Sequence, residues 1–232
     1  MSRSEKAAAG HLTVSGEISD DERKAPERRS PRARRTRASL VAGARTVFER
    51  DGFQSAKITD IAEAAGVAIG SFYTHFRSKE EIFLAVMDEV EEEMLHPHRD
   101  LSGSRAETLY DSILAANRRY LEAYRKNAAL MAVLEEFATI NEGFRAIRIR
   151  RAVAFSERNA RTIERFQEKG VADAELDAYL AAHSLSGMVS RAAYQAFVLR
   201  TSTDEMEMLV RTLTRLWLNA LGIGREDWAD PV

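Results

Sequence analysis

The sequence predicts an all-α protein, and three observations carry that prediction. The 232 residues contain only four prolines. Apolar residues recur at spacings of three and four over long stretches, and one short segment has the pattern of two helices joined by a tight turn. We therefore expect an N-terminal three-helix domain with a helix-turn-helix and a larger C-terminal helical domain, about nine helices in all.

Composition divides the chain into four expected regions. Residues 1–37 are rich in charged and small residues and cannot bury enough apolar surface to offset ordering entropy, so we expect a disordered basic arm. Residues 38–83 should form the helix-turn-helix domain, and residues 84–222 the larger helical domain. Residues 223–232 should form a C-terminal tail.

Several classes of protein are disfavoured by composition. No apolar run reaches the length of a membrane span, and the first thirty residues hold no hydrophobic signal region, so we expect a cytoplasmic protein with no membrane partner. The chain has no cysteine, which excludes disulfides, thiolate metal sites and cysteine nucleophiles. It also has no phosphate-binding glycine loop, HExxH or G-x-S-x-G motif, so we expect neither an enzyme nor a cofactor.

One metal-binding alternative concerns His96, Pro97, His98 and Asp100. Histidine and carboxylate side chains at this spacing can ligate a divalent cation. Such a segment is more often a solvated loop between domains. We therefore expect no metal site.

Charge is distributed unevenly along the chain. The overall formal charge is −2, yet residues 28–79 carry 11 basic and 4 acidic side chains, a net charge of +7, whereas residues 80–232 carry a net charge of −7. Residues 28–37 include six arginines and no acidic residue. Positive charge gathered on the segment with the helix-turn-helix indicates a phosphate-binding surface.

Residues 58–81 give the helix-turn-helix its signature. Thr59 can cap the first of the two helices, and Gly66 can end it in a left-handed conformation. A second short helix begins near Ala68, with Phe72 and Phe76 facing inward. Its other side chains are of hydrogen-bonding types and project outward, as in a helix that fits the major groove of B-DNA.

These residues resemble the DNA-binding domain of the TetR family of bacterial transcriptional repressors. The resemblance covers about a fifth of the chain. Its motifs are Gly52-Phe53, Asp60-Ile61-Ala62, Ala65-Gly66-Val67, the run from Gly70 to Phe76, and Ser78-Lys79-Glu80-Glu81. Two positions depart from the common family pattern, since Ala68 lacks a capping hydroxyl and Ile69 stands where a polar or basic residue is usual.

The resemblance and the charge pattern together identify the expected DNA contacts, which are hydroxyl, cationic and small residues of the arm and of the two helices. They are Arg35, Arg37, Lys57, Thr59, Ile69, Gly70, Ser71, Tyr73, Thr74, His75 and Lys79. Most such groups position the protein on phosphates, and few read bases. Two alternatives remain for individual residues: the Tyr73 ring can fill space between helices, and Thr59 can serve only as a cap.

A homodimer is the assembly that the resemblance implies, because one helix-turn-helix makes too few base contacts and pairs of them read palindromic operators. The last two helices should form the interface, with small and apolar residues at the contact. Those we expect there are Gly187, Ala192, Ala193, Leu209, Leu213, Leu216 and Trp217. The alternative for each residue is ordinary packing within one subunit.

The resemblance also implies an effector pocket among the middle helices, and the apolar composition of the candidate residues favours a small hydrophobic or amphipathic effector over a sugar or phosphate. The candidate liners are aromatic, methionine and polar residues of the larger domain. They are Tyr120, Tyr124, Met131, Phe137, Phe144, His183, Ser186, Met188, Tyr194 and Gln195. The alternative for most of them is a place in the core.

The function expected from this resemblance is a dimeric repressor that a small effector releases from its operator. A transcriptional activator or an effector-independent regulator of the same fold is the first alternative. The second alternative belongs to another class: a helical ligand-carrier or interaction protein that does not bind DNA. That alternative gives no reason for the positive charge on residues 28–79.

Overall fold

The computed structural model describes residues 30–95, 108–201 and 205–229. Within these ranges the chain forms nine α-helices, which confirms the all-α prediction. The first four are α1 (Pro31–Ser55), α2 (Ile58–Ala64), α3 (Ile69–His75) and α4 (Lys79–Leu95). The next five are α5 (Leu109–Lys126), α6 (Ala128–Phe137), α7 (Glu142–Glu168), α8 (Ala178–Tyr194) and α9 (Met206–Ala220).

Helix α1 begins earlier than the sequence predicts, so the expectation of a disordered arm is wrong for residues 31–37. The hydroxyl oxygen of Ser30 accepts a hydrogen bond from the amide of Ala33 at 3.2 Å, and Pro31 occupies the first helical position. A proline there loses no hydrogen bond and already has a helical φ. The capped start extends the helix through the arginines, so Arg35 and Arg37 are helical. Arg28 and Arg29 lie outside the described residues.

The turn between α2 and α3 has the predicted glycine conformation. Gly66 adopts a φ of 66°, and the amide of Val67 donates to the carbonyl of Ala62 at 3.0 Å. This left-handed ending satisfies the last carbonyls of α2 and turns the chain sharply. The predicted Thr59 cap is wrong, because Lys57 occupies the N-cap position and the Thr59 hydroxyl donates to the Asp60 carboxylate instead.

Helix α1 holds α2 through a close backbone contact at Gly43. A Cβ atom at this position would lie 2.9 Å from both the amide nitrogen of Ala65 and the carbonyl oxygen of Ile61. Only a residue without a side chain fits between the two helices at this distance. Gly43 therefore fixes the position of α2, and through the Gly66 turn it also fixes α3.

Helix α4 packs against both α1 and α7 and so connects the two halves of the molecule. Its start is capped as the spacing of Ser78 and Glu81 indicates: the Glu81 amide donates to the Ser78 hydroxyl at 3.2 Å, and the Glu81 carboxylate accepts from the amide of Arg77 at 2.6 Å. This exchange fixes the chain between α3 and α4.

The C-terminal half consists of α5 to α9, with α7 packed along α8 and α5 packed against α9. The chain continues from α8 into a wider π-helical turn, Gln195–Leu199. The expected tail after residue 222 is packed rather than free over its described part. Ile223 is buried, and the Trp228 ring stacks on Tyr110 with centroids 5.6 Å apart.

Candidate nucleic-acid interface and ligand cavity

Helix α3 has one face in the core and one face in solvent. Phe72 and, just after the helix, Phe76 are buried, whereas Tyr73 is 58% exposed and Ile69 is 46% exposed. The two anchors fix the orientation of this short helix. The inward placement predicted for both phenylalanines is confirmed.

The other expected DNA contacts on α3 also lie at or near its surface. Gly70 and Thr74 are exposed, while Ser71 and His75 are half-buried. The Thr74 hydroxyl donates to the Gly70 carbonyl at 3.1 Å, so it offers an oxygen acceptor to a partner. Tyr73 touches Phe72 edge to face at 5.4 Å but does not fill the space between helices. The outward face of α3 therefore presents aromatic, hydroxyl and imidazole groups.

The cations around α3 fall into two groups. Arg35 and Lys57 are exposed, as is Thr59 beside Lys57. Arg37 is half-buried, with its guanidinium 4.9 Å from the Phe76 ring centroid. Arg37 therefore supports the end of α3 as well as adding charge near it.

Lys79 has internal hydrogen-bond partners that the sequence did not suggest. Its ammonium donates to the carbonyls of Gln54 and Ala56, each at 3.0 Å, and lies 4.8 Å from the Phe53 ring centroid. These contacts join the start of α4 to the end of α1. One of its three N–H groups is left for a phosphate, and the expected DNA contact remains a prediction.

Two arginines counted in the positive segment are neutralised within the structure. Arg50 pairs with Asp51 at 2.6 Å. Arg45 donates to Glu93 on α4 at 2.7 Å and to Asn127, which precedes α6, at 2.6 Å. Burial works against ionisation of Glu93, but the hydrogen bonds from Arg45 and Lys126 outweigh it and lower the pKa of Glu93. Arg45 thus ties the N-terminal domain to the rest of the molecule.

A cluster of phenylalanines joins the same two parts of the chain. The Phe53 ring contacts Phe83, Phe137 and Phe144 at centroid distances of 5.4, 4.9 and 5.3 Å, and Phe83 stacks on Phe144 at 4.8 Å. Phe137 and Phe144 were expected to line a ligand pocket. Their rings pack between the domains instead, because the end of α6 meets α1 and the start of α7 meets α4 at this point.

A cavity of about 1090 Å³ lies among α5, α7 and α8 in the C-terminal half. It also reaches α9 through Trp217 and α4 through Met94. Of the expected effector-contacting residues, those that line it are Tyr120, Tyr124, His183, Ser186 and Tyr194. Those that do not line it are Met131, Phe137, Phe144, Met188 and Gln195.

Polar pairs between α7 and α8 form part of the cavity wall. The Ser156 hydroxyl and His183 Nδ1 are 3.1 Å apart, and the Asn159 amide donates to the Ser186 hydroxyl at 2.9 Å. Burial raises the pKa of the Tyr124 hydroxyl, as does the neighbouring Tyr120. Tyr124 therefore remains neutral across the physiological pH range.

Sequence reasoning missed Arg151, a buried arginine that lines this cavity. A signal for it exists in the sequence. Ile147, Arg151 and Phe155 follow each other at intervals of four residues, so Arg151 occupies the apolar face of α7. An arginine at such a position indicates a buried charge with a specific partner.

The expected dimer contacts divide by burial. Ala193, Leu213 and Trp217 are buried within the protomer, which is the alternative left open for them. Ala192 and Leu209 are half-buried, whereas Gly187 is exposed and Leu216 is 44% exposed. Further exposed apolar side chains on α8 and α9 are Tyr179, Leu180 and Met208.

The histidines and the aspartate considered as metal ligands, His96, His98 and Asp100, lie outside the described residues. Within the described part of the chain, no group of three or more histidine, aspartate and glutamate side chains is arranged to hold a metal ion. The helices of that part also include none with the length and apolarity of a membrane span.

The fold and the exposed helix define an all-α helix-turn-helix protein whose C-terminal half contains a cavity. Residues 40–86, from α1 into α4, match the family described as bacterial regulatory proteins, tetR family. The transcriptional regulator TtgR of Pseudomonas putida is 38% identical over 66 residues, which are 28% of this chain and 30% of TtgR. Both matches fall on the N-terminal domain, which is therefore similar to the DNA-binding domain of the TetR family.

Longer alignments extend the likeness beyond the N-terminal domain. The transcriptional regulator EthR of Mycolicibacterium smegmatis is 24% identical over 213 residues, covering 85% of this chain and 94% of EthR. A crystal structure of a TetR-family regulator from a Rhodococcus species superimposes with a TM-score of 0.67 at 18% identity and covers 81% of this chain and 99% of that one. The fold is therefore shared along most of the chain, whereas the match to TtgR spans about a third of that protein's length.

Proposed function

We propose that the protein is a dimeric, DNA-binding transcriptional repressor that a small effector releases from a palindromic operator. The observation that carries the proposal is the outward face of α3. Two buried phenylalanines fix this helix, and its exposed residues are those that contact groove edges and phosphates. The match of residues 40–86 to the TetR family supports the same conclusion.

Cationic side chains beside α3 supply the phosphate contacts in this proposal. Arg35 and Lys57 are exposed, and Lys79 lies at the start of α4 with one N–H group left over. These groups act on the backbone of any duplex, so they contribute affinity and salt dependence rather than sequence preference. Tyr73 and the other exposed groups of α3 supply the preference for a particular DNA sequence.

A dimer would present two copies of the outward face of α3 and of the cations beside it. The apolar side chains that remain exposed on α8 and α9, Leu180 and Leu216 among them, are suited to a two-fold interface. Two copies of α3 would then meet successive major grooves, about one helical turn of DNA apart. The protein would act in the cytoplasm, where the bacterial chromosome lies.

Helix α7 supplies a route from the cavity to the DNA-binding domain. Arg150 pairs with Asp88 and, at 3.2 Å, with Glu91 on α4. The next residue, Arg151, lines the cavity and contacts Met94 on the same helix. An effector that favours another position of α7 would thus move α4, and with it the spacing of the two α3 helices. Effector and DNA then weaken each other's binding by the same factor.

Fluorescence anisotropy with labelled duplex DNA from upstream of the protein's own coding region tests the proposal. We expect affinity to fall steeply as salt rises. Arg35→Gln should reduce the slope of log K against log salt by about two, since a dimer loses two phosphate contacts. Tyr73→Ala combined with Lys79→Ala should abolish specific binding while leaving the helical content unchanged.

A matched control is Arg161→Gln, which removes the same charge from an exposed position on α7. It should change neither the salt slope nor the affinity. Binding that does not respond to salt, or a protein that ignores duplex DNA at low salt, would contradict the proposal and favour the ligand-carrier alternative. DNA binding that no effector changes would favour the effector-independent regulator. Expression of a reporter gene that depends on the protein would favour the activator.

A further inference from the structure

The cavity lining is strongly cationic, in contrast to the acidic composition of the domain that contains it. The basic residues that line the cavity are Arg119, Arg148, Arg151, Arg158, Arg165, Lys169 and Arg191, and the acidic one is Glu135. Glu135 already pairs with Arg148 at 3.4 Å. The described lining therefore has an excess of positive charge with no carboxylate left to balance it.

Arg151 is the most deeply placed of these cations. It is 5% exposed, and no carboxylate of the described residues lies within ion-pair distance of it. One of its terminal nitrogens donates to the Tyr120 hydroxyl at 3.2 Å, while its Nε has no acceptor among the described residues. The guanidinium lies 5.8 Å from the Tyr124 ring centroid and 5.7 Å from that of Phe155. A buried charge without an anionic partner is expensive, so this position favours a partner that comes from outside the chain.

A second buried donor in the cavity wall also has no acceptor. The indole Nε1 of Trp217 makes no hydrogen bond to any described residue. By contrast, the buried amide of Asn117 donates to the Thr214 hydroxyl at 3.2 Å and is satisfied. Both unsatisfied groups, Arg151 Nε and Trp217 Nε1, are donors only, so a molecule that satisfies them must bring acceptors.

Another part of the lining shows the same positive excess. The Arg158 side chain donates to the carbonyl of Leu95 at 2.8 Å. Burial lowers the pKa of Arg158, and the positive charges of Arg119 and Arg161 lower it further. A bound anion would relieve this repulsion at Arg158.

We propose that the cavity binds an amphipathic anion, a small molecule with a carboxylate or similar anionic head and an apolar body. The head pairs with Arg151, and the body packs on the rings of Tyr124, Phe155 and Trp217. This assignment rests on the proposed function, because it names the chemical class of the effector. It also narrows the expectation from sequence, which left neutral hydrophobic compounds open.

A matched pair of fluorescent probes tests the proposal. 8-Anilinonaphthalene-1-sulfonate and N-phenyl-1-naphthylamine share one aromatic body, but only the first carries an anion. We expect Arg151→Gln to weaken binding of the sulfonate roughly 10- to 100-fold, the range for a lost charged hydrogen bond, and to change binding of the neutral probe less than about twofold. Arg125→Gln, which removes an exposed cation of α5 that does not line the cavity, should leave both affinities within about twofold. Equal loss for the two probes on Arg151→Gln would overturn the proposal.

A second measurement needs no variant and so does not depend on how Arg151→Gln folds. Decanoate and decanol should compete for the wild-type protein already loaded with the neutral probe. We expect decanoate to displace it at a concentration at least tenfold lower than decanol, although decanol is the more hydrophobic of the two. The reverse order would overturn the proposal.

DNA binding and anion binding are measured independently, so the two proposals can fail independently. Failure of both probe experiments with salt-dependent DNA binding intact would reject the anionic effector and leave the regulator standing. Anion binding by a protein that ignores duplex DNA would reject the regulator and leave the cavity assignment standing.

Discussion

Replacing Gly43 with alanine should displace α2 from α1 and destabilise the whole helix-turn-helix. The new Cβ would lie 2.9 Å from the amide nitrogen of Ala65 and 2.9 Å from the carbonyl oxygen of Ile61. Both are main-chain atoms of α2 and its C-cap, so neither can move by a change of side-chain rotamer. The two helices must separate instead.

The size of the effect follows from two opposing contributions. Alanine in place of glycine within a helix favours folding by about 1 kcal/mol. Overpacking of a tight contact destabilises by about 1 to 3 kcal/mol. Gly70→Ala isolates the first contribution, because Gly70 is also helical and an added Cβ there meets nothing within 4 Å. The difference in unfolding free energy between the two variants therefore measures the clash.

Thermal and denaturant unfolding of both variants is the assay. We expect Gly43→Ala to be less stable than Gly70→Ala by about 1 to 3 kcal/mol, with roughly 2 to 4 °C of melting temperature per kcal/mol for a chain of this size. If Gly43→Ala proved as stable as Gly70→Ala, the close contact between α1 and α2 would not fix the positions of α2 and α3.

Two further predictions concern the junction between the domains. Phe144→Ala should lower the unfolding free energy by about 3 to 5 kcal/mol, because the ring is fully buried among other phenylalanines. The control is Leu199→Ala, at a 47% exposed position, which should change the unfolding free energy by less than about 0.5 kcal/mol. Similar losses of stability in the two variants would refute this account. Glu93→Gln should destabilise the protein at neutral pH. The lowered pKa of Glu93 stabilises the fold above the ordinary value of 4.5 and loses that contribution as pH falls through the depressed value. The gap between wild type and variant in pH-dependent melting should therefore close under acid, and a gap that widened would contradict it.

Local signals made the helix-turn-helix predictable from sequence. Gly66 marks the turn by its conformational freedom, and Phe72 and Phe76 mark the inner face by their spacing. The start of α1 was missed because arginine-rich sequence resembles disorder when its cap is not recognised. Ser30 and Pro31 are that cap.

The cavity was predictable only in part, since its lining depends on how long helices pack. Tyr124 and Phe144 carry the same local signal, an aromatic residue at helical spacing, yet the first faces the cavity and the second packs between the domains. Trp217 similarly lines the cavity from a helix assigned to the dimer interface. Arg151 was passed over because arginines on helices usually face solvent.

Two consecutive residues of α7, Arg150 and Arg151, face different parts of the molecule. One forms ion pairs with α4, and the other enters the cavity wall. If Arg151 holds a ligand as proposed, substitutions at residue 151 would also act on the ion pairs that its neighbour Arg150 makes with α4. A biosensor library built on this scaffold should vary both positions together and be screened for response as well as for affinity.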